Sequence, residues 1–224
     1  MDLTTRKFEK RYWNYYLNLE KEFLKLEDYI PIIEENFKTI SPQYMKLLMS
    51  ICSEIDVVFK DFMKFVNKSE DNNMGVYRTF IQDNYKSFLD YTLFSSKNFG
   101  FYPFKDWKEN NKLFWWDAYT SLKHDRNRDN VFYKANLFNV LNALGALYQL
   151  ESYFHMIIVE KENSSRLLKL PLPQSSLFRV NWEYNENIYA NKLYLDLNNP
   201  DDWQIYGPDY EYEDVYKFYE DILK

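Results

Sequence analysis

His124 is one of two histidines in the chain, and it stands where an apolar segment gives way to a charged turn. Three cations surround it: Lys123, Arg126 and Arg128. Flanking cations lower the pKa of an imidazole, which favours a neutral ring that accepts a proton near pH 7, and they can also hold a phosphate. The alternative is that Lys123 and His124 only complement the negative end of a helix dipole. The residues are equally compatible with a proton-transfer site and with a solvated helix end.

The second histidine, His155, follows Glu151 by four residues, so both lie on one face of a helix. Counted from Leu144, that face is apolar. A carboxylate and an imidazole placed there must bond to each other or to another helix, because an unpaired buried charge is costly. The two could be general-base partners, but the pattern favours a structural polar contact.

Two carboxylates, Glu54 and Asp56, lie in the apolar segment CSEIDVVFK. Residues two apart on a helix diverge by about 200°, so they cannot form a paired-carboxylate site within one helix. Asp56 precedes Lys60 by four residues, the spacing of a helical ion pair. The alternative is a carboxylate at the border of the apolar stripe that faces a neighbouring helix.

The sequence lacks the common motifs for nucleotide, metal and nucleophile sites: Walker loop, GxGxxG, HExxH, CxxC and GxSxG. Two histidines and the single Cys52 are too few for a typical nitrogen–sulfur metal site. We therefore expect no metal and no cofactor. The net charge is −6, so any contact with RNA or DNA must depend on a local basic patch.

Apolar residues at helical spacing predict the elements that position these side chains. Only four glycines occur, which favours long helices with few breaks. Helices are predicted from a cap at Thr4 or Thr5 to Ile30, from the Ser41 cap and Pro42 to about Val66, and over 76–94, 111–124 and 131–160.

The composition changes after residue 162, where prolines and alternating apolar residues become frequent. This change predicts a helical bundle over 1–162 and a C-terminal extension over 163–224 that packs on it. Short strands or extended segments are expected at 177–182 and 192–195, and a short helix at 212–223. No signal sequence or membrane span is apparent, which indicates a cytoplasmic protein.

The segment WWDAYTSLKHDR, with CSEIDVVFK before it and the long helix ANLFNVLNALGALYQLESYF after it, resembles the HEPN superfamily (higher eukaryotes and prokaryotes nucleotide-binding). The resemblance covers roughly residues 5–160 in helix order. At the level of motifs it is confined to 115–126 and, more weakly, 52–60. It implies a mainly α fold, an up-and-down helical bundle of HEPN type, and a homodimer formed through the two helices that flank His124.

Active members of this superfamily are metal-independent endoribonucleases with an R-x4-6-H motif at the dimer interface. His124 matches the motif histidine. The positions for the motif arginine are Asp117, Ala118 and Tyr119, none of which is basic.

Lys123 or Arg126 are the cations that could take the place of the motif arginine at His124. The resemblance thus implies a protein that binds or cleaves RNA, in phage defence or as part of a toxin–antitoxin pair. The alternative is a non-catalytic HEPN-fold protein that regulates or binds a partner protein such as an antitoxin. A pocket for a nucleotide or small molecule, lined by Trp115, Trp116 and Tyr119, is a third option, although such aromatics more often form core.

Overall fold

Helices make up most of the residues that the computed structural model describes, which are 3–66, 73–90, 93–97, 99–163, 167–168, 170–180 and 193–194. The predicted mainly α-helical class is confirmed. The helices are α1 (Thr5–Phe8), α2 (Asn14–Leu24), α3 (Pro42–Phe65), α4 (Met74–Asn84), α5 (Phe114–Asp125) and α6 (Leu137–Asn163).

The first two helices form one helical stretch, since a π turn at Glu9–Trp13 joins α1 directly to α2. The stretch begins where the Thr4 side chain accepts a hydrogen bond from the amide of Lys7. The predicted extension to Ile30 is wrong. After Leu24 the chain changes to bonds between residues three apart, of which Leu26 N to Phe23 O is 3.0 Å, and these tighten and end a helix.

The centre of the fold is the contact between α3 and α6. α3 begins as predicted, with the Ser41 hydroxyl accepting from the amide of Gln43 and Pro42 in the first turn. Most of α6 is buried on all sides, as expected for a helix at the centre of a core. Its start is fixed beside the start of α3 because Leu137 N donates to Thr39 O over 3.0 Å.

The helix predicted over 76–94 is shorter in the structure than the apolar pattern of the sequence indicates. The Asn73 side chain caps α4 by accepting from Val76 N, and the helix ends at Asn84. A 3₁₀ turn at Lys86–Asp90 and a strand at Leu93–Ser95 follow. The strand residues pair with distant segments of the chain, which a local pattern does not reveal.

The strands are short: β1 (Leu93–Ser95), β2 (Gly100–Phe101), β3 (Leu167–Leu168), β4 (Phe178–Val180) and β5 (Leu193–Tyr194). β1 lies between β2 and β4 with both neighbours antiparallel, so Leu93 is opposite Phe101 on one side and Val180 on the other. β3 pairs with β5. Both β4 and β5 fall within the segments predicted to be extended.

The helix predicted over 131–160 starts later than residue 131. A 3₁₀ turn occupies Phe132–Lys134, and α6 begins at Leu137. The reason is a cap, since the Asn136 side chain accepts from Asn139 N over 2.9 Å. The 3₁₀ turn brings Lys134 against α5, which matters for the candidate site.

Part of the C-terminal segment is attached to the first helical stretch. Trp13 Nε1 donates to the carbonyl of Pro173 over 2.7 Å, and the buried Glu20 carboxylate accepts from the amides of Ser176 and Leu177 over 3.0 and 3.1 Å. The helix predicted at 212–223 lies outside the described residues. Within the described part of the chain, no helix is long and apolar enough to cross a membrane.

Candidate functional site

His124 lies exposed in the last turn of α5. Trp116 and Thr120 precede it at intervals of four residues, so the three side chains form a ridge along the helix, here called the α5 ridge. Successive residues of the ridge are four positions apart and are therefore separated by about 6 Å along the helix axis. The imidazole is therefore reachable from solvent at the end of a rigid element.

A lysine that the sequence did not single out is fixed beside this ridge. Lys134 Nζ donates to Asp117 Oδ2 over 2.6 Å and to Ser121 Oγ over 2.9 Å. Ser121 precedes His124 by three residues, which makes the two neighbours on the helix surface. Asp117 stands at one of the positions that the HEPN motif gives to arginine. The fold thus brings a cation near a position where the sequence has an acid.

The cations predicted from the sequence are arranged differently. Lys123 turns back along its own helix, with Nζ 3.3 Å from the Tyr119 hydroxyl and 5.4 Å from the centre of that ring. Arg126 is exposed at the C-cap of α5. The other two motif positions, Ala118 and Tyr119, are buried at 2% and 7% exposure, so they belong to the core.

Two of the acids around the ridge are paired. Asp117 forms the ion pair with Lys134, and Asp125 Oδ1 lies 3.3 Å from Arg128 Nε. Pairing reduces the repulsion that these carboxylates would exert on an anionic ligand.

A cavity of about 340 Å³ opens on the side of the ridge facing α4 and the 3₁₀ turn Lys105–Glu109. Its walls include Trp107, Trp116 and Thr120, the Asp117 carboxylate that pairs with Lys134, and two cations, Arg78 and Lys112. Arg78 Nη1 donates to the carbonyl of Asn110. Its Nε is buried and has no hydrogen-bond partner among the described residues.

Of the three aromatics proposed to line a pocket, Trp116 borders this cavity. Trp115 is fully buried, and its Nε1 donates to the Pro103 carbonyl over 2.8 Å, which makes it a core residue. Tyr119 is also in the core cluster. The favoured interpretation of these aromatics as core holds for Trp115 and Tyr119, and the alternative of a pocket lining is left with Trp116.

The carboxylates of α3 have separate environments, as their spacing predicted. Asp56 pairs with Lys60 and also accepts from the Tyr77 hydroxyl of α4 over 2.8 Å, so both interpretations of Asp56 hold at once. Glu54 lines an open groove between α2 and α3. Burial, and then the charge of Asp61, raise its pKa to about 7.

Glu151 and His155 are both buried, as predicted from their position on the apolar face. The expected satisfaction of Glu151 is wrong, since neither carboxylate oxygen accepts a hydrogen bond from a described residue. Burial, and then Glu54, raise its pKa well above the usual value. The imidazole faces the first helical stretch instead, with Nε2 3.7 Å from Glu9 Oε1 and the ring 5.6 Å from that of Phe8.

Among the residues that the structure describes, no group of three or more histidine, cysteine or acidic side chains is arranged to hold a metal ion. Comparison with family models, with curated proteins and with solved structures gives no match in any of the three.

Proposed function

We propose that the protein is an HEPN-like helical bundle that binds RNA along the α5 ridge and cleaves it without a metal, as a homodimer. The observation that carries this proposal is the exposed His124 together with Lys134, which is held by Asp117 and by Ser121, a residue one helical turn before His124. Metal-free RNA cleavage requires proton transfer and stabilisation of the phosphate charge. An imidazole can transfer the proton, and an ammonium group held in place can stabilise the charge.

The chemistry has two proton transfers. A base takes the proton of the RNA 2′-hydroxyl, the 2′-oxygen bonds to phosphorus, and the leaving 5′-oxygen receives a proton from an acid. One His124 performs one of these transfers, and His124 of a second copy performs the other. Lys134 stabilises the charge on the phosphate oxygens, in place of the motif arginine and of the Lys123 and Arg126 expected from sequence.

Cleavage and binding are measured separately on a fluorescently labelled single-stranded RNA. His124→Ala should lower the cleavage rate by about 10²–10⁴-fold, the usual contribution of a positioned proton-transfer group. Because His124 is exposed, the urea midpoint should not change. Lys134→Ala should weaken binding seen by fluorescence anisotropy, and EDTA should have no effect on cleavage.

The matched control is Lys46→Gln, which removes an exposed lysine on α3 whose nearest acid is Glu22, 3.7 Å away. It changes the net charge as Lys134→Ala does but leaves the ridge intact. Equal weakening by both variants would show that only net charge matters. An RNA that remains whole and unbound with the wild-type protein would refute the proposal.

A second candidate is a non-catalytic HEPN-fold protein that regulates or binds a partner, such as an antitoxin. The burial of Ala118 and Tyr119 favours it, because no arginine can be presented from these motif positions. Binding of RNA, or of a co-purified protein, by wild type and His124→Ala alike, with no cleavage by either, would support this candidate over the nuclease.

A role in toxin–antitoxin or phage-defence biology can be tested in cells. If the protein cleaves cellular RNA, its expression in a bacterial host should slow growth, and His124→Ala should restore growth at equal protein level. Equal growth inhibition by both proteins would argue against a toxic nuclease and would place any effect elsewhere in the molecule.

A further inference from the structure

The cavity beside the α5 ridge has the composition of a site for an aromatic anion. We propose that it binds one nucleobase, with its attached phosphate group, of the RNA strand that passes His124; this inference rests on the function proposed above. The reasons are its aromatic wall, its cationic rim and its place on the ridge.

The aromatic wall is formed by two indoles. Trp107 is 2% exposed and forms part of the fixed interior, whereas Trp116 is half-buried and presents surface to the cavity. Bases stack on such rings in single-stranded nucleic acid binding, with little regard to sequence. A volume of about 340 Å³ is at the lower end of the range for ligand pockets, which suits one nucleotide better than a longer segment.

The rim supplies positive charge and a hydrogen-bond donor. Arg78 is held by the bond from Nη1 to the Asn110 carbonyl, and its buried Nε–H has no partner among the described residues. Its guanidinium, held in place by that bond, carries a positive charge that suits a phosphate group. Lys112, exposed at the same rim, adds a second cation suited to phosphate.

The position of the cavity connects it to the proposed reaction site. Trp116, Thr120 and Asp117, whose charge is paired with Lys134, lie on the α5 side of the cavity, and His124 is the next residue of the same ridge. Thr120 and His124 are separated by about 6 Å along the helix axis. A base bound against Trp116 therefore directs the neighbouring phosphate of the strand towards His124 and Lys134.

Equilibrium dialysis with adenosine 5′-monophosphate, and anisotropy with a labelled hexa-adenylate RNA, test the assignment. Trp116→Leu should weaken both by about tenfold, the scale of one lost stacking contact. Trp116→Phe keeps an aromatic face and should stay within about threefold of wild type. Lys112→Glu, at an exposed position, should also weaken both, and Lys46→Gln should change neither.

Comparing the two ligands shows whether the cavity binds a nucleotide of an RNA strand or a free mononucleotide. Loss of both on Trp116→Leu, with hexa-adenylate also weakened by Lys134→Ala, supports a base subsite on an RNA path. If Trp116→Leu and Lys112→Glu leave both ligands bound as in wild type, the subsite is refuted, even where His124→Ala still blocks cleavage. If the monophosphate responds to Trp116 but RNA fails to bind at all, the cavity is a mononucleotide site and the RNA function is refuted instead.

Discussion

The buried carboxylate of Glu151 should destabilise the protein, so its replacement by methionine should raise the free energy of unfolding. The Glu151 side chain is 0% exposed, and its two oxygens accept no hydrogen bond from a described residue. An unsatisfied buried polar group costs about 1–3 kcal/mol, and more when it is charged. Methionine has a similar size and flexible packing, so Glu151→Met should stabilise the fold by about 1–3 kcal/mol at pH 7.

The matched control is Glu20, a second buried carboxylate whose oxygens are fully used. It accepts from the Tyr16 hydroxyl over 2.8 Å, from the Ser175 hydroxyl and from the amides of Ser176 and Leu177. Glu20→Met leaves these donors without their acceptor. We expect a loss of at least about 2 kcal/mol, opposite in sign to the effect at Glu151.

Urea unfolding followed by circular dichroism measures both effects. With a slope of about 3 kcal/mol per molar urea, the midpoint should rise by about 0.3–1 M for Glu151→Met and fall by about 0.7 M or more for Glu20→Met. Glu151→Gln removes the charge but keeps polar atoms, so its gain should be smaller. If Glu151→Met destabilises the protein as much as Glu20→Met, the carboxylate is satisfied and the reasoning is wrong.

The advantage of Glu151→Met should also depend on pH. Burial raises the pKa of the folded-state carboxyl above the unfolded value of about 4.3. Below that value the carboxyl is protonated in both states, and the charge contributes no penalty. As the pH rises above it, the Glu151 carboxyl ionises in the unfolded state but stays protonated in the folded state. The free energy of unfolding of the wild-type protein therefore falls. The gap between Glu151→Met and wild type should therefore be smaller at pH 4 than at pH 7.

Three further predictions concern other positions. Glu54→Gln should flatten the fall in melting temperature between about pH 4.3 and pH 7, because the pKa of Glu54 is raised to about 7 in the fold; melts across this range test it. Gly145→Val should cost about 1–3 kcal/mol in urea unfolding, since even a Cβ there would lie 3.3 Å from Leu93 Cδ1, and an unchanged midpoint would contradict the packing. Ser41→Ala should cost about 1 kcal/mol by the same assay, because the hydroxyl that accepts from Gln43 N at the start of α3 is lost; Ser50→Ala, within the same helix, is the control.

Local signals predicted much of the helical framework. The start of α3 was predictable because Ser41 and Pro42 carry a cap and a first-turn proline in adjacent positions. The length of α4 was not, since its apolar pattern continues past Asn84 into residues that pair as strand β1. Periodicity reports which residues are buried, and the partner strands that decide the backbone shape lie far away in the chain.

The sequence predicted the position of His124 at a helix end, but it did not predict that Lys134 would be held near it. His124 ends a helix at a charged turn, which its neighbours in sequence reveal. Lys134 reaches Asp117 and Ser121 across 17 and 13 residues, through a 3₁₀ turn that the sequence suggested was helix. Arg78 of α4 likewise donates to the carbonyl of Asn110, which is 32 residues later in the chain. Contacts of this kind depend on the tertiary arrangement, so no motif spacing could have found them.

The two histidines together constrain any imidazole chemistry of this protein. His155 is 1% exposed and faces Glu9 from within the core, so it cannot exchange a proton with an external substrate. The chain has no third histidine. A reaction that needs one imidazole as base and another as acid must therefore use His124 from two copies. A nuclease of this design should lose specific activity on dilution below the dimer dissociation constant, whereas RNA binding along a single ridge should persist in the monomer.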